Sequence, residues 1–226
     1  MTEGIGARVL RKEDKRFLMG KGRYTDDIVE PNQAYAAFVR SPHAHAEVKG
    51  IDASAAEAMD GVVAVLNGEQ LTGDGIGNII CGWAVTQKDG SGMNMGAWSA
   101  LATSKVRYVG DAVAVVIADS LEQARNAAEA VEVDYKILPA VAQSMKALAD
   151  DAPEIHDNAP GNVVFDWEIG DLAPTDAALA GAAYITEMDI TNNRLAPNPM
   201  EPRSAVATYN DAEEHYTLYT TSQNPH

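Results

Sequence analysis

The chain has 226 residues, of which 46% are hydrophobic and 22% charged, and its formal net charge is -16. This length buries a sizeable core without disulfides or metals, and the mixed composition excludes a disordered chain. The negative charge argues against direct nucleic-acid binding, because neutralising phosphates takes clustered Lys and Arg.

Hydrophobic runs and cysteine usage predict the compartment. No stretch approaches the roughly 18 uninterrupted apolar residues of a membrane helix, and residues 1–17 lack the apolar run of a secretory signal. We therefore expect a cytoplasmic protein. The single cysteine, Cys81, excludes a disulfide within this chain, and we expect its thiol to be buried and inert.

The first part of the chain predicts short elements around a long irregular segment. Residues 8–23 are basic and show no helical or strand period, which predicts an extended arm. Strands are predicted at 34–40, 46–51 and 62–66, and a helix at 52–60 that ends at Gly61. Residues 67–105 are predicted to be irregular. The "GDGIGN" within them lacks the leading strand and following helix of a phosphate-binding loop.

Residues 105–135 carry the strongest local signal, a strand, a helix and a second strand. The run AVAVVIA at 112–118 is typical of a strand covered on both faces. Ser120 and Gln123 form a predicted capping box. An apolar stripe follows at helical spacing: Leu121, Ala124, Ala127, Ala128 and Val131. Alternation over 131–135 predicts a half-buried strand, and the short helical crossover suggests that the two strands lie parallel.

The remainder of the chain is more acidic. Residues 150–226 hold 2 Lys+Arg against 14 Asp+Glu, which indicates a boundary near residue 150 or, alternatively, a solvated acidic surface. Helices are predicted at 143–149 and around 175–182, and strands at 183–190, 205–209 and 216–221. The sequence closes on "SQNPH" without a capping element, as expected for an interruption of a larger unit.

Two small groups of residues have chemical potential. His43 and His45 would share one face if their segment were a strand, and would then hold a metal ion with a third ligand. Surface or packing roles are the alternative, and we favour them. Glu201 is a candidate general base if desolvated, and Arg203 a candidate anion ligand; the alternative is that both pair with neighbours.

Several stretches, taken in order, resemble the start of the large subunit of molybdenum hydroxylases. They are "GARVLRKEDKRFLMGKGRYTDDI", "AAFVRSPHAHAEVKGIDASAA", "VRYVGDAVAVVIADSLEQARNAAEAVEVDY", "LPAV", and "NNRLAPNPMEPRSAVATY" with "TSQNPH". That family includes carbon-monoxide dehydrogenase, aldehyde oxidoreductases and xanthine dehydrogenase, and the bacterial carbon-monoxide-dehydrogenase-like branch fits best.

The resemblance implies an α+β fold. The implied parts are an extended arm at 1–15, an α/β hammerhead domain at 16–142, a linker at 143–154, and the beginning of a molybdopterin-binding domain at 155–226. The "SPHAHA" segment lies in the hammerhead part, away from the cofactor chemistry, so the resemblance assigns His43 and His45 structural roles and predicts no metal ligand in this chain.

The resemblance also implies a function. The family's large subunit binds molybdenum with a molybdopterin, often as the cytosine dinucleotide, and works with an iron-sulfur subunit and an FAD subunit. Together they hydroxylate a small substrate (carbon monoxide, an aldehyde or an N-heterocycle) with oxygen derived from water. The family's glycine-rich cofactor loop and glutamate base would follow residue 226, so this chain alone is expected to be inactive and to need the remaining large-subunit part.

Within the chain, Gln223 is the implied cofactor-binding residue. Glu201 and Arg203 belong to the family-like "MEPR" and are near-site candidates, and no residue is assigned as catalytic. Two alternatives stay open: a non-catalytic hammerhead interaction module or truncated product, and a stand-alone metal-binding protein that uses His43 and His45. The substrate is not specified by these residues.

Overall fold

The computed structural model describes residues 4–193 and 195–223. By its internal contacts the chain divides into a larger unit, Ala34–Glu187, and a smaller unit formed by Met1–Gln33 with Met188–His226. None of the described helices has the length and apolar character needed to cross a membrane.

The described residues form five α-helices and eight strands. The α-helices are α1 (Asp14–Leu18), α2 (Ser54–Glu57), α3 (Gly68–Gly73), α4 (Leu121–Glu129) and α5 (Leu172–Ala180). The strands are β1 (Tyr35–Arg40), β2 (Ala46–Asp52), β3 (Val62–Asn67), β4 (Lys105–Val106), β5 (Ala112–Ala118), β6 (Glu132–Ile137), β7 (Ala205–Asn210) and β8 (His215–Thr220). Short 3-10 helices lie at Thr25–Asp27, Ser144–Leu148 and Pro160–Asn162.

The centre of the larger unit is β5, the middle strand of an antiparallel sheet with the order β1-β5-β3. Its valines point alternately to two cores, as the pleat requires. Val116 packs with Ala127 of α4 on one face, whereas Val113 packs with Ala46 and Val106 on the other. The prediction that this strand is covered on both faces is confirmed.

A second antiparallel sheet has the order β4-β2-β6. The prediction that the strands on either side of α4 lie parallel is therefore wrong, since β5 and β6 belong to different sheets. The physical reason is that β1 and β3 already occupy both edges of β5, so β6 finds its backbone partner in β2. The alternation along β6 is as predicted: Val133 and Tyr135 are half-buried, and Glu132 and Asp134 are exposed.

The predicted N-cap of α4 at Ser120 is present, but the capping box is only half formed, because Gln123 Oε1 accepts from the Ser120 hydroxyl rather than from its backbone N–H. Ser120 Oγ accepts a hydrogen bond from the Gln123 backbone N–H at 3.2 Å and donates one to Gln123 Oε1 at 2.7 Å. Gln123 Nε2 in turn donates to the Asp60 carbonyl at 3.1 Å. Gly61 follows in the left-handed region at φ +79°, which only glycine adopts at low cost. The predicted cap is thus also the contact that holds the turn before β3.

Other predicted elements differ in length or type. The helix predicted at 52–60 is shorter, the one at 143–149 is a 3-10 helix, and the one around 175–182 begins earlier, at Leu172. The segment predicted as an extended arm contains α1, and the irregular segment 67–105 begins with α3. Helix α3 starts at a capping box that the sequence reasoning missed, in which Asn67 and Gln70 exchange two hydrogen bonds.

The strand predicted at 183–190 is wrong, because the structure has no regular element there. Alternating hydrophobicity gives only the side-chain pattern of a strand, and an extended segment also needs a partner for its backbone groups. No described strand pairs with residues 183–190.

The smaller unit contains the antiparallel hairpin β7-β8, in full register from Ala205–Thr220 to Asn210–His215. Both of its strands are confirmed predictions. Tyr209 and Tyr216 sit opposite each other with ring centroids 4.5 Å apart, a cross-strand aromatic contact of the kind that stabilises hairpins. The 3-10 turn at Thr25–Asp27 packs against β7.

Candidate functional site

The open end of the β7-β8 hairpin gathers the three predicted site residues. The Ser204 N–H donates to Thr221 Oγ1 at 3.1 Å, and the Thr221 N–H donates to the Ser204 carbonyl at 3.2 Å. These two hydrogen bonds extend the pairing of the strands by one residue pair, Ser204 and Thr221, beyond β7 and β8. Arg203 and Glu201 therefore leave the sheet on one strand at the same end at which Gln223 leaves it on the other.

The side chains at this end are exposed to solvent, Glu201, Arg203 and Gln223 alike. Glu201 is thus not in the desolvated setting that would make it a general base. The described carboxylate of Glu201 also forms no ion pair with the Arg203 guanidinium. Arg203 and Gln223 present N–H donors, and Gln223 an amide oxygen as well. Such donors suit a phosphate or a nitrogen-rich ring.

His43 and His45 contact different partners. Their segment is irregular and precedes β2, so the strand geometry that would place both rings on one face is not realised. The His43 ring stands edge-on to Tyr135, with centroids 5.0 Å apart. His45 is 95% buried, because only 5% of it is exposed, and its Nδ1 donates to the Pro139 carbonyl at 2.8 Å. Across the described residues, no group of three His, Cys, Asp or Glu side chains has a metal-binding arrangement.

A charged cluster surrounds His156 in the loop after the 3-10 helix Ser144–Leu148. Lys105 Nζ lies 2.8 Å and 3.1 Å from the two carboxylate oxygens of Asp157, and this hydrogen bond lowers the pKa of Asp157. Burial lowers the pKa of the His156 imidazole, and the Arg107 charge lowers it further. The sequence analysis missed this cluster, because no motif connects residues some 50 positions apart along the chain.

The prediction that the Cys81 thiol is buried is wrong, because the side chain is exposed. The residue lies in the irregular segment between α3 and β4, where no sheet or helix covers it. A cysteine is usually buried because it packs like a small apolar side chain, and that preference has no effect where the backbone itself stays at the surface.

Comparison with known proteins places both parts of the chain. Residues 19–139 match the family model "Aldehyde oxidase and xanthine dehydrogenase, a/b hammerhead domain", and residues 155–226 match the model "Molybdopterin cofactor-binding domain". The carbon monoxide dehydrogenase large chain of Afipia carboxidovorans is 36% identical over 99% of this chain. The nicotine 6-hydroxylase large subunit of Paenarthrobacter nicotinovorans is 33% identical over 98%.

The fold agrees with these sequence matches. A crystal structure of a Cu,Mo-CO dehydrogenase in its carbon monoxide reduced state matches 98% of this chain with a TM-score of 0.82 and 35% identity. The chain spans 28% of the length of the carbon monoxide dehydrogenase large chain and 26% of the nicotine 6-hydroxylase subunit. The hammerhead fold followed by a molybdopterin-binding segment, as the resemblance implied, is confirmed: the chain belongs to the aldehyde oxidase and xanthine dehydrogenase family of molybdenum hydroxylase large subunits.

Proposed function

We propose that this chain serves in the large, molybdenum-cofactor-binding subunit of a hydroxylase that oxidises a small substrate with oxygen from water. The observation that carries the proposal is that one chain holds, in order, matches to the hammerhead and the molybdopterin-binding models. Relatives of similar identity are named for carbon monoxide, for nicotine and for aldehydes. The substrate class therefore spans carbon monoxide, aldehydes and N-heterocycles.

The residues at the hairpin end fit a role beside the cofactor. Gln223 has a side-chain amide able to donate to and accept from a pterin ring, and Arg203 has a guanidinium suited to a phosphate. Both are exposed and leave the same end of the hairpin. When bound, the molybdenum cofactor would supply the two-electron redox chemistry. Glu201, which is exposed, is a neighbour of this site rather than its base.

The finer assignments belong to the same proposal. The cofactor is the cytosine dinucleotide form of molybdopterin, and electrons leave through an iron-sulfur subunit and an FAD subunit in the cytoplasm. The hammerhead domain spans residues 16–142 after an arm at 1–15, and the molybdopterin-binding segment begins at 155 after a linker at 143–154. The matched ranges 19–139 and 155–226 support these boundaries. Further residues of the subunit complete the active site.

Native mass spectrometry with molybdenum analysis, on the protein purified gently from its own cells, tests the proposal. We expect a complex with two further subunits, molybdenum, and cytidine monophosphate released on acid hydrolysis. The Gln223→Ala variant should lower molybdenum content, whereas Gln143→Ala, an exposed glutamine in the linker, should not. An intact complex without molybdenum would refute the proposal and favour a non-catalytic interaction module.

A further inference from the structure

The larger unit contains a cavity of about 510 Å³ that is lined by none of the residues proposed to contact the cofactor. Its walls come from the irregular segment after α3, from the residues around β4, and from the His156 loop. The lining combines apolar side chains, among them Met95, Trp98 and Tyr108, with many polar ones, among them Arg107, Asp111 and His156. A concave surface that combines apolar side chains with polar groups is the usual form of a small-molecule site.

Hydrogen bonds hold the outer wall of this cavity in place. Asn94 donates from its backbone N–H to the Val164 carbonyl at 2.8 Å and from its side chain to the Val163 carbonyl at 3.0 Å. The Lys88 N–H donates to the Asp166 carbonyl at 2.9 Å. Gly96 approaches His156 so closely that a Cβ there would lie 2.5 Å from Nδ1. The irregular segment is therefore fixed along the His156 loop.

The two cationic side chains that line the cavity, Lys105 and Arg107, differ in their partners. Lys105 is neutralised by its ion pair with Asp157. Arg107 is half-buried, and its Nε donates to the Ile155 carbonyl at 3.1 Å. Asp111 also lines the cavity, but its Oδ2 accepts the backbone N–H of Arg107 at 3.0 Å. No described carboxylate forms an ion pair with the Arg107 guanidinium.

Because the half-buried Arg107 guanidinium forms no ion pair with a described carboxylate, its remaining N–H donors are available to an anionic ligand. Guanidinium groups bind carboxylates and sulfonates with charge-assisted hydrogen bonds.

We propose that this cavity binds a small aryl anion, a carboxylate or sulfonate, with its charged group at Arg107 and its ring against Trp98 and Tyr108. The two aromatic side chains lie 6.5 Å apart between ring centroids and offer flat apolar surface to a ring. The residues that line this cavity are different from those proposed to contact the cofactor, so the two proposals can be tested independently.

The test uses two fluorescent probes on the full-length subunit in its native complex: 1-anilinonaphthalene-8-sulfonate and the uncharged N-phenyl-1-naphthylamine. Arg107→Gln should weaken binding of the sulfonate about tenfold or more, as expected for loss of a charged hydrogen bond. The same variant should leave the neutral probe within about twofold. Arg125→Gln, at an exposed arginine on α4, is the matched control and should change neither probe.

Cys81 provides a local readout, because it lines the same cavity and is the chain's single cysteine. Saturating sulfonate probe should slow alkylation of Cys81 by iodoacetamide, measured on the tryptic peptide 50–88, and Arg107→Gln should abolish this protection. Replacing the exposed Trp98 side chain, in Trp98→Ala, should weaken the binding of both probes. Unchanged Cys81 alkylation, or equal affinity of the sulfonate for wild type and for both variants, would overturn the proposal.

Discussion

The core formed by β5 and α4 makes a quantitative prediction at Val116. This side chain is fully buried in the cluster with Val65, Ala127 and Val131. Val116→Ala removes two buried methyl groups, at about 0.8 kcal/mol each. The cavity left behind adds to this, because the sheet and the helix relax only partly. We therefore expect the free energy of unfolding to fall by about 2 to 3 kcal/mol.

The same substitution at Val63 is the control, since that side chain on β3 is 63% exposed. We expect Val63→Ala to change stability by less than about 0.5 kcal/mol. Urea unfolding followed by tryptophan fluorescence measures both, and the three tryptophans, Trp83, Trp98 and Trp167, all lie in the larger unit. Equal losses at the two positions, or a loss at Val116 as small as the control's, would refute the assignment of this core.

Three further substitutions test local features of the fold. Gly61→Ala should destabilise the larger unit by about 1 to 2 kcal/mol, because φ is positive there and the new Cβ would displace the Gln123 side chain. Gly77→Ala is the control and should leave stability unchanged, because open space surrounds that position. Urea unfolding midpoints measure both variants. Ser120→Ala should cost about 1 kcal/mol through loss of the α4 cap, whereas Ser120→Asp should retain most of it. Because burial lowers the pKa of His156, the unfolded chain binds more protons than the folded chain as the pH falls below about 6.5, and stability declines there. His156→Gln should flatten this decline in melting temperatures measured from pH 5 to about 7, whereas His215→Gln should not. Equal slopes in the two variants would contradict the reasoning.

Local sequence signals predicted the elements whose stability is mostly local. The buried valine run of β5 and the Ser120 cap are confirmed, because each depends on side chains within a few residues of one another. The pairing of β6 was mispredicted, because the choice between two sheets depends on which strand edges are free. That property belongs to the assembled fold and not to residues 105–135.

The same distinction explains the outcome for the candidate site. Family-like segments predicted Glu201, Arg203 and Gln223 as site residues, and hairpin register brings them to one end. The Arg107 cavity had no sequence signal, because its wall is a polar, glycine-rich segment that resembles a simple loop. Its order comes from hydrogen bonds to Val163, Val164 and Asp166, roughly 70 positions away.

These long-range ties also bear on domain organisation. Composition and family matching both separate the chain near residues 140–155, where charge and motif change. The larger unit nevertheless continues to Glu187, because the irregular segment before β4 is hydrogen-bonded to Val164 and Asp166 and Lys105 is paired with Asp157. The start of the molybdopterin-binding match is therefore held by the hammerhead through backbone contacts. A change in sequence composition marks where a segment's chemistry changes, whereas a compact unit ends where its contacts end, and in this protein the two positions differ.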